Sequence, residues 1–236
     1  MTTAGPRSVA VAMLIVLGLV GCDGLPGKPK ARRADESSAQ PVGFAALYGR
    51  ECAGCHGVDG RLGAARPLND PVYLALVPPP RLRQVIAEGV AGTMQPAFAT
   101  SAGGGLTDER IDALVQGLVK TWARPETATG VQMPPYAASL GDRERGKAVF
   151  AAACAGCHGD DGRGGPKAGA VTDPSYLALV SDQHLRTTVI AGRADLGMPD
   201  WRRYLPGRAL GPAEISDVVA WLTAQRRPVP GRPGGE

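Results

Sequence analysis

Apolar residues at helical spacing recur in two similar blocks of this chain, and each block ends on its clearest stripe. Ile111, Leu114, Val115, Leu118 and Trp122 follow the i, i+3, i+4, i+7, i+11 pattern of an amphipathic helix, and Ile215, Val218, Val219 and Leu222 repeat it. Thr107 stands at the N-cap of the first stripe with Asp108 and Glu109 behind it. Gly211-Pro212 opens the second, with Glu214 following. Shorter apolar helices are predicted over 42–50 and 142–152, and again over 81–88 and 182–191. The predicted class is all-α. Beyond the stripes, Asp70-Pro71-Val72-Tyr73-Leu74-Ala75-Leu76-Val77 matches Asp173-Pro174-Ser175-Tyr176-Leu177-Ala178-Leu179-Val180 at an offset of 103. Leu82-Arg83 likewise matches Leu185-Arg186, so a whole domain is duplicated.

Outside the blocks the pattern changes. Arg7 precedes a short apolar run over 9–20, which ends in Leu19-Val20-Gly21-Cys22. Twelve residues rise only ~18 Å as a helix against ~30 Å of hydrocarbon, so the run reads as a targeting segment and not as a permanent span. From 23 to 41 the chain is polar and rich in Lys, Arg, Ser and Pro, a disordered tether with a reach of roughly 25 Å. Residues 126–139 read as a proline-stiffened linker and 227–236 as an unstructured tail. The expected organisation is a signal over 1–22, the tether over 23–41, domains over 42–125 and 140–226 joined by the linker, and the tail.

The net charge of +4 is small, and cleavage of the signal would remove Arg7, so a nucleic-acid partner has no support. Cysteine usage is more informative. Cys52-Ala53-Gly54-Cys55-His56 recurs as Cys154-Ala155-Gly156-Cys157-His158. Cys-x-x-Cys-His is the attachment signal for c-type haem. Two thiols three positions apart lie on one side of a helical turn and can add across the two vinyl groups of one porphyrin, while the next histidine comes under the ring as an iron ligand. A four-cysteine zinc site would make segments about a hundred residues apart share an ion, and would leave the repeated histidine unexplained. A redox dithiol wants a βαβ context that is absent here, and a disulfide over so short a loop would stabilise little.

On these residues the chain resembles tandem class I cytochromes c, over 42–125 and 140–226. The resemblance implies two domains, each wrapped around one covalently attached haem c, with Cys52, Cys55, Cys154 and Cys157 as attachment points and His56 and His158 as iron ligands. In that family an N-terminal helix bearing a glycine and an aromatic crosses a C-terminal helix bearing an aromatic. Gly146, Phe150 and Trp221 match in the second domain. The first departs, with Phe44 where Gly146 would align and Gly117 opposite Trp221; Tyr48 fits, and Trp122 stands in from a turn further on. Helix packing in the first domain is therefore expected to differ.

The family's methionine loop is matched by Met94, in Thr93-Met94-Gln95-Pro96, and by Met198, in Gly197-Met198-Pro199, which makes these the expected sixth ligands. His/Met ligation raises the potential and leaves no vacant site, which suits electron transfer. Met133 reads as a hinge or packing residue, and His184 as a solvated or hydrogen-bonded side chain with haem ligation as its alternative. Pro67 and Pro166 mark where the carbonyls that orient the proximal histidines are expected. Arg61 and Arg163 are candidates for haem propionates, with plain surface exposure the equal alternative.

Leu-x-Gly-Cys resembles the lipobox of bacterial lipoproteins, implying lipidation at Cys22, and Asp23 resembles the residue that retains such proteins at the inner membrane. The expected function is a diheme electron carrier on the periplasmic face of a bacterial inner membrane, held by a lipid anchor. Its expected partners are a quinol–cytochrome c reductase type complex, a terminal oxidase or a soluble cytochrome. No catalytic triad, phosphate loop or acid/base pair stands out. The alternatives are a diheme peroxidase and a haem-based sensor with a labile Met94.

Overall fold

A computed structural model describes residues 43–228; the predicted signal, Cys22, the tether and most of the tail lie outside them. Among the described residues ten α-helices form in two successive sets of five, and no strand forms beyond three isolated bridges. The first lobe runs α1 (Phe44–Glu51), α2 (Ala53–His56), α3 (Pro71–Leu76), α4 (Pro79–Glu88) and α5 (Asp108–Trp122). The second repeats it as α6 (Arg143–Ala153), α7 (Ala155–His158), α8 (Pro174–Leu179), α9 (Asp182–Ala191) and α10 (Pro212–Thr223). Both lobes are all-α, as the periodicity predicts.

The closing helices behave as their stripes require. Ile111, Leu114 and Leu118 of α5 are buried with Leu47 of α1, and Ile215, Val218 and Leu222 of α10 are buried with Phe150 of α6. Each such aliphatic side chain contributes about 1.5–3 kcal/mol by leaving water. Thr107 takes the N-cap position of α5 but its side chain bonds Glu109 and caps no backbone N–H, whereas Glu214 accepts the N–H of Gly211 at 2.8 Å and so starts α10. Helices α3 and α8 were not predicted by spacing, because six residues are too few to show a period. They form through their ends: Asp70 Oδ1 accepts the N–H groups of Val72 and Tyr73 at 2.9 and 3.0 Å, and Asp173 accepts those of Ser175 and Tyr176 at 2.8 and 3.1 Å.

In the second lobe α6 crosses α10 at Gly146, where a Cβ would sit 1.9 Å from the Asp217 carbonyl oxygen and 2.9 Å from the Trp221 Cβ. Phe150 then lies against Trp221, ring centroids 4.3 Å apart. In the first lobe the roles are exchanged. Gly117 of α5 is the residue without a side chain, and the Phe44 ring of α1 fills the space, with atoms 2.1 Å from where a Gly117 Cβ would be. Phe44, Tyr48 and Trp122 complete this crossing as an aromatic trio at 5.0–5.7 Å. The two domains thus cross by different packing, as the sequence comparison expects.

The lobes share a seam. Val72 and Leu76 of α3 pack into the core of the second lobe, and Tyr136 packs against both cores. The linker is held, too. Val131 and Met133 sit against the second core, and Arg186 of α9 donates to the Pro135 carbonyl at 2.8 Å while Gln183 donates to the Tyr136 carbonyl at 2.8 Å. Met133 is a packing residue. Among the described residues no helix is long and apolar enough to cross a membrane.

Candidate functional site

Each Cys-x-x-Cys-His segment turns between two helices. Cys52 and Cys154 end α1 and α6, and α2 and α7 carry the remaining residues through His56 and His158. The turn out of each motif needs glycine. Gly57 and Gly159 have φ of 84° and 79°, and a Cβ on Gly57 would meet the Arg61 carbonyl oxygen at 1.8 Å. Tyr48 donates its hydroxyl to the Gly57 carbonyl at 2.8 Å, fixing the first motif to α1.

The first thiol of each pair is held in its protonated form. Burial pushes Cys52 up to about 11, helped by Glu51 and Cys55, and pushes Cys154 up to about 12, helped by Cys157. A reactive dithiol lowers its first cysteine instead. Both thiols are partly buried against their lobe's core, which suits attachment of an apolar ring.

The histidines carry a sharper signal. His56 Nδ1 lies 2.6 Å from the Arg66 carbonyl and His158 Nδ1 lies 2.8 Å from the Gly169 carbonyl. A carbonyl can only accept, so Nδ1 carries a proton in both rings and Nε2 is the nitrogen left to face a metal. That is the tautomer of a metal-ligating imidazole oriented by a carbonyl behind it. Burial also holds His56 below the ordinary histidine range, hence neutral. The first carbonyl stands directly before Pro67, as expected. The second does not neighbour Pro166: it belongs to Gly169, which lies 103 residues after Arg66 and so keeps the offset of the repeat.

The methionine loops differ in register. In the second lobe Arg193 and Met198 bond to each other through both backbone pairs, at 3.1 and 3.0 Å, which closes the loop on Met198. The equivalent bond in the first lobe joins the Val90 N–H to the Gln95 carbonyl at 3.1 Å, and Pro96 follows as Pro199 does. Gln95 thus occupies the position of Met198, and Met94, one residue earlier, is 75% exposed. Met198 is partly buried. The apparent pairing of Met94 with Met198 in sequence comes from an offset one larger than that of the surrounding backbone.

Arg61 and Arg163 are engaged elsewhere. Arg61 donates to the Asn69 carbonyl at 2.9 Å, and Arg163 pairs with Asp161 at 3.1 Å in an exposed position. His184 is half-buried: desolvation, with Arg66, Arg193 and His56 nearby, pushes it down to about 4, so it is neutral at pH 7. It faces the seam with Thr188, one turn on along α9.

Sequence reasoning missed that seam. The Arg66 guanidinium is buried there, donating to Thr188 Oγ1 at 2.9 Å, with the Tyr73 ring 4.7 Å away. Arg193 holds Asp195 at 3.0 Å through two bonds and reaches the Gly63 carbonyl at 3.4 Å. Asp195 in turn accepts the N–H of Leu62 at 3.1 Å, across the lobes. Position 66 gave no signal in the sequence, since a buried arginine and a surface one are written the same way.

The fit to two haems can be tested on these atoms. Arg66 Nε and Nη1 and the Tyr204 hydroxyl are buried without any hydrogen-bond partner. Tyr204 lies close enough to Cys154 for the two to influence each other's ionisation. Orphaned donors near His56 and Cys154, together with two imidazoles that donate through Nδ1, are what a ring with carboxylate substituents and an iron would satisfy. The residues fit.

Comparison with known proteins agrees. Residues 39–116 and 141–222 match the family described as cytochrome C oxidase, cbb3-type, subunit III, once per lobe. The chain is 28% identical over 196 residues to the cbb3-type cytochrome c oxidase subunit FixP of Bradyrhizobium sp. (strain ORS 278), covering 75% of this chain and 58% of that protein. It is 29% identical over 153 residues to the subunit CcoP of Rubrivivax gelatinosus, covering 64% and 44%. The chain thus spans about half the length of the curated relatives it matches. The reducing HAO-like protein complex of Kuenenia stuttgartiensis aligns at a TM-score of 0.47 and 17% identity, over 78% of this chain and 96% of that one. With a family match in each lobe and a haem-attachment signal in each match, the chain belongs to the cbb3-type cytochrome c oxidase subunit III family and is a tandem class I cytochrome c with two haem c groups.

Proposed function

We propose that the chain is an electron carrier, passing single electrons between a quinol-oxidising complex and a terminal oxidase or soluble cytochrome. The observation that carries this is the pair of imidazoles held through Nδ1 by backbone carbonyls at equivalent positions of the repeat. Both lobes are built to present a metal ligand in fixed orientation. The names of the relatives, subunits of cbb3-type oxidases, support an oxidase complex as partner.

Cys52, Cys55 and His56 would hold the haem of the first lobe, and Cys154, Cys157 and His158 that of the second. The bound groups supply the one-electron iron couple. The chain supplies the rest. Its cores exclude water, the Arg66 and Gly169 carbonyls fix the histidine rings, and the methionine loops would offer a further iron ligand. Met198 would do so from a loop closed on itself. Met94 would do so only by swinging inward from an exposed turn, which would make the first site the more easily opened. Anchoring through lipidated Cys22 to the periplasmic face of the inner membrane completes the reading, and a Cys22→Ala chain should then leave the membrane fraction.

A potentiometric titration of the haem-loaded protein, followed optically with and without peroxide, tests the proposal. Two one-electron waves from low-spin centres are expected. A high-spin centre that turns over peroxide would sink the carrier reading in favour of a peroxidase.

A further inference from the structure

Arg66 is an arginine of the seam that forms no ion pair among the described residues, although the Asp70 carboxylate and the Tyr73 ring lie in its field. It is 5% exposed, and two of its three nitrogens find no hydrogen-bond partner. Its only side-chain bond goes to the neutral Thr188. Among the described residues no carboxylate lies within ion-pair distance of it. Asp70 is the nearest charge of opposite sign, and its Oδ1 caps the first turn of α3 while neither oxygen bonds the guanidinium. Arg193 has its own partner in Asp195. The Tyr73 ring, 4.7 Å from the guanidinium carbon, offsets only part of the cost of taking that charge out of water. An arginine cannot escape by losing its proton. The site therefore needs an anion. The seam also places the Tyr204 hydroxyl, buried and equally without a partner, within the field of the same guanidinium. The Arg66 backbone carbonyl is the group that holds His56, so the residue is tied at one end to the first haem's proximal ligand.

We propose that the Arg66 guanidinium is the seat of a haem propionate in the seam between the lobes, with Thr188 of α9 orienting it. A carboxylate there would take the free Nε and Nη1 donors, the fork geometry that guanidinium offers to carboxylates. The second lobe has no counterpart, because Gly169 stands at the equivalent position. Two consequences follow. Loading the haem completes the contact between lobes, and a fixed positive charge near the iron disfavours its oxidised form and raises the potential of that centre. This rests on the haem-binding reading of the Cys-x-x-Cys-His segments.

The test uses the full chain matured with haem. Haem content comes first: fewer than two haems per wild-type chain would refute the haem reading itself, and only a two-haem protein bears on Arg66. In that protein Arg66→Gln is expected to lower the electron affinity of one centre at least tenfold, 59 mV for a one-electron couple. Arg66→Lys should stay within about threefold of wild type, since it keeps the charge, and Thr188→Val should stay within about twofold, since it removes only an uncharged partner. Two unmoved waves in Arg66→Gln would overturn the proposal. So would a Thr188→Val shift as large as that of Arg66→Gln, which would make the effect one of packing. Should Arg66→Gln lose a haem, infrared redox-difference spectra of wild type and Arg66→Lys with 13C-labelled propionates decide. A carboxylate band that moves with the substitution supports the pairing, and identical bands refute it.

Discussion

The two lobes solve the same crossing in opposite ways. In the second, the N-terminal helix gives up its side chain at Gly146 and the closing helix contributes Trp221. In the first, the N-terminal helix contributes Phe44 and the closing helix gives up its side chain at Gly117. What the fold requires is one aromatic and one glycine facing each other across the contact. Which helix carries which is interchangeable, because close approach depends on the summed volume at the crossing. The exchange has unequal robustness. At Gly146 the obstacle is backbone, the Asp217 carbonyl, which cannot move without shifting α10. At Gly117 it is the Phe44 ring, which can rotate.

That inequality sets the largest expected effect. Gly146→Ala should cost about 4 kcal/mol and loosen the second lobe, while Gly117→Ala should cost about 1–3 kcal/mol. Haem-retaining thermal unfolding of each variant measures the difference, and equal losses would break the comparison. Next come the methionine loops. Met198→Ala should lower the electron affinity of one centre about a hundredfold, roughly 2.7 kcal/mol, by removing a ligand that raises the potential. Met94→Ala should do the same only if that residue swings inward on haem loading. An unchanged titration would show that the Gln95 register persists in the loaded protein and that the first haem lacks a methionine.

Asp217 offers a test by pH. The Arg145 guanidinium, at 2.9 Å, and the Asp142 N–H hold its carboxyl below the ordinary range in the folded chain. The unfolded chain therefore binds the proton first as pH falls. The contribution is present above the ordinary carboxylate range near 4 and is lost as pH falls through the depressed value. Asp217→Asn should cost about 2 kcal/mol at neutral pH, less than a fully buried pair because Arg145 is two-thirds exposed. The penalty should shrink under acid, which denaturant unfolding at several pH values would show. The first lobe has no such ion pair at its crossing among the described residues. The smallest effect concerns the haem loops. Leu62 holds φ of 59° where the second lobe has Gly164, so Leu62→Gly should stabilise by up to about 1 kcal/mol, readable as a higher melting temperature.

Much of the site was legible without coordinates. The repeated Cys-x-x-Cys-His segments, the helical stripes and the departure of Phe44 and Gly117 from the second lobe's pattern all lie in short stretches of sequence or in the comparison of two copies. The misses have a common cause. Helices α3 and α8 were too short for a period and announced themselves only through Asp-Pro ends. The Met94 register depends on which backbone groups bond across a loop, and a one-residue slip is invisible when both loops contain a methionine and a proline. His184 was expected as a solvated or hydrogen-bonded side chain and is half-buried at the seam, where part of its environment comes from the other lobe.

Taken alone, then, the order of residues determined the class, the duplication and the haem ligands expected on the proximal side, since each is a local pattern of spacing and residue type. Tertiary structure decided what happens where the copies meet. Arg66 and Thr188 are 122 residues apart, and Asp195 bonds Leu62 over 133. Neither pair shares a sequence period, so only the packing of α3 against α9 could bring a charge out of water and leave it waiting for a partner.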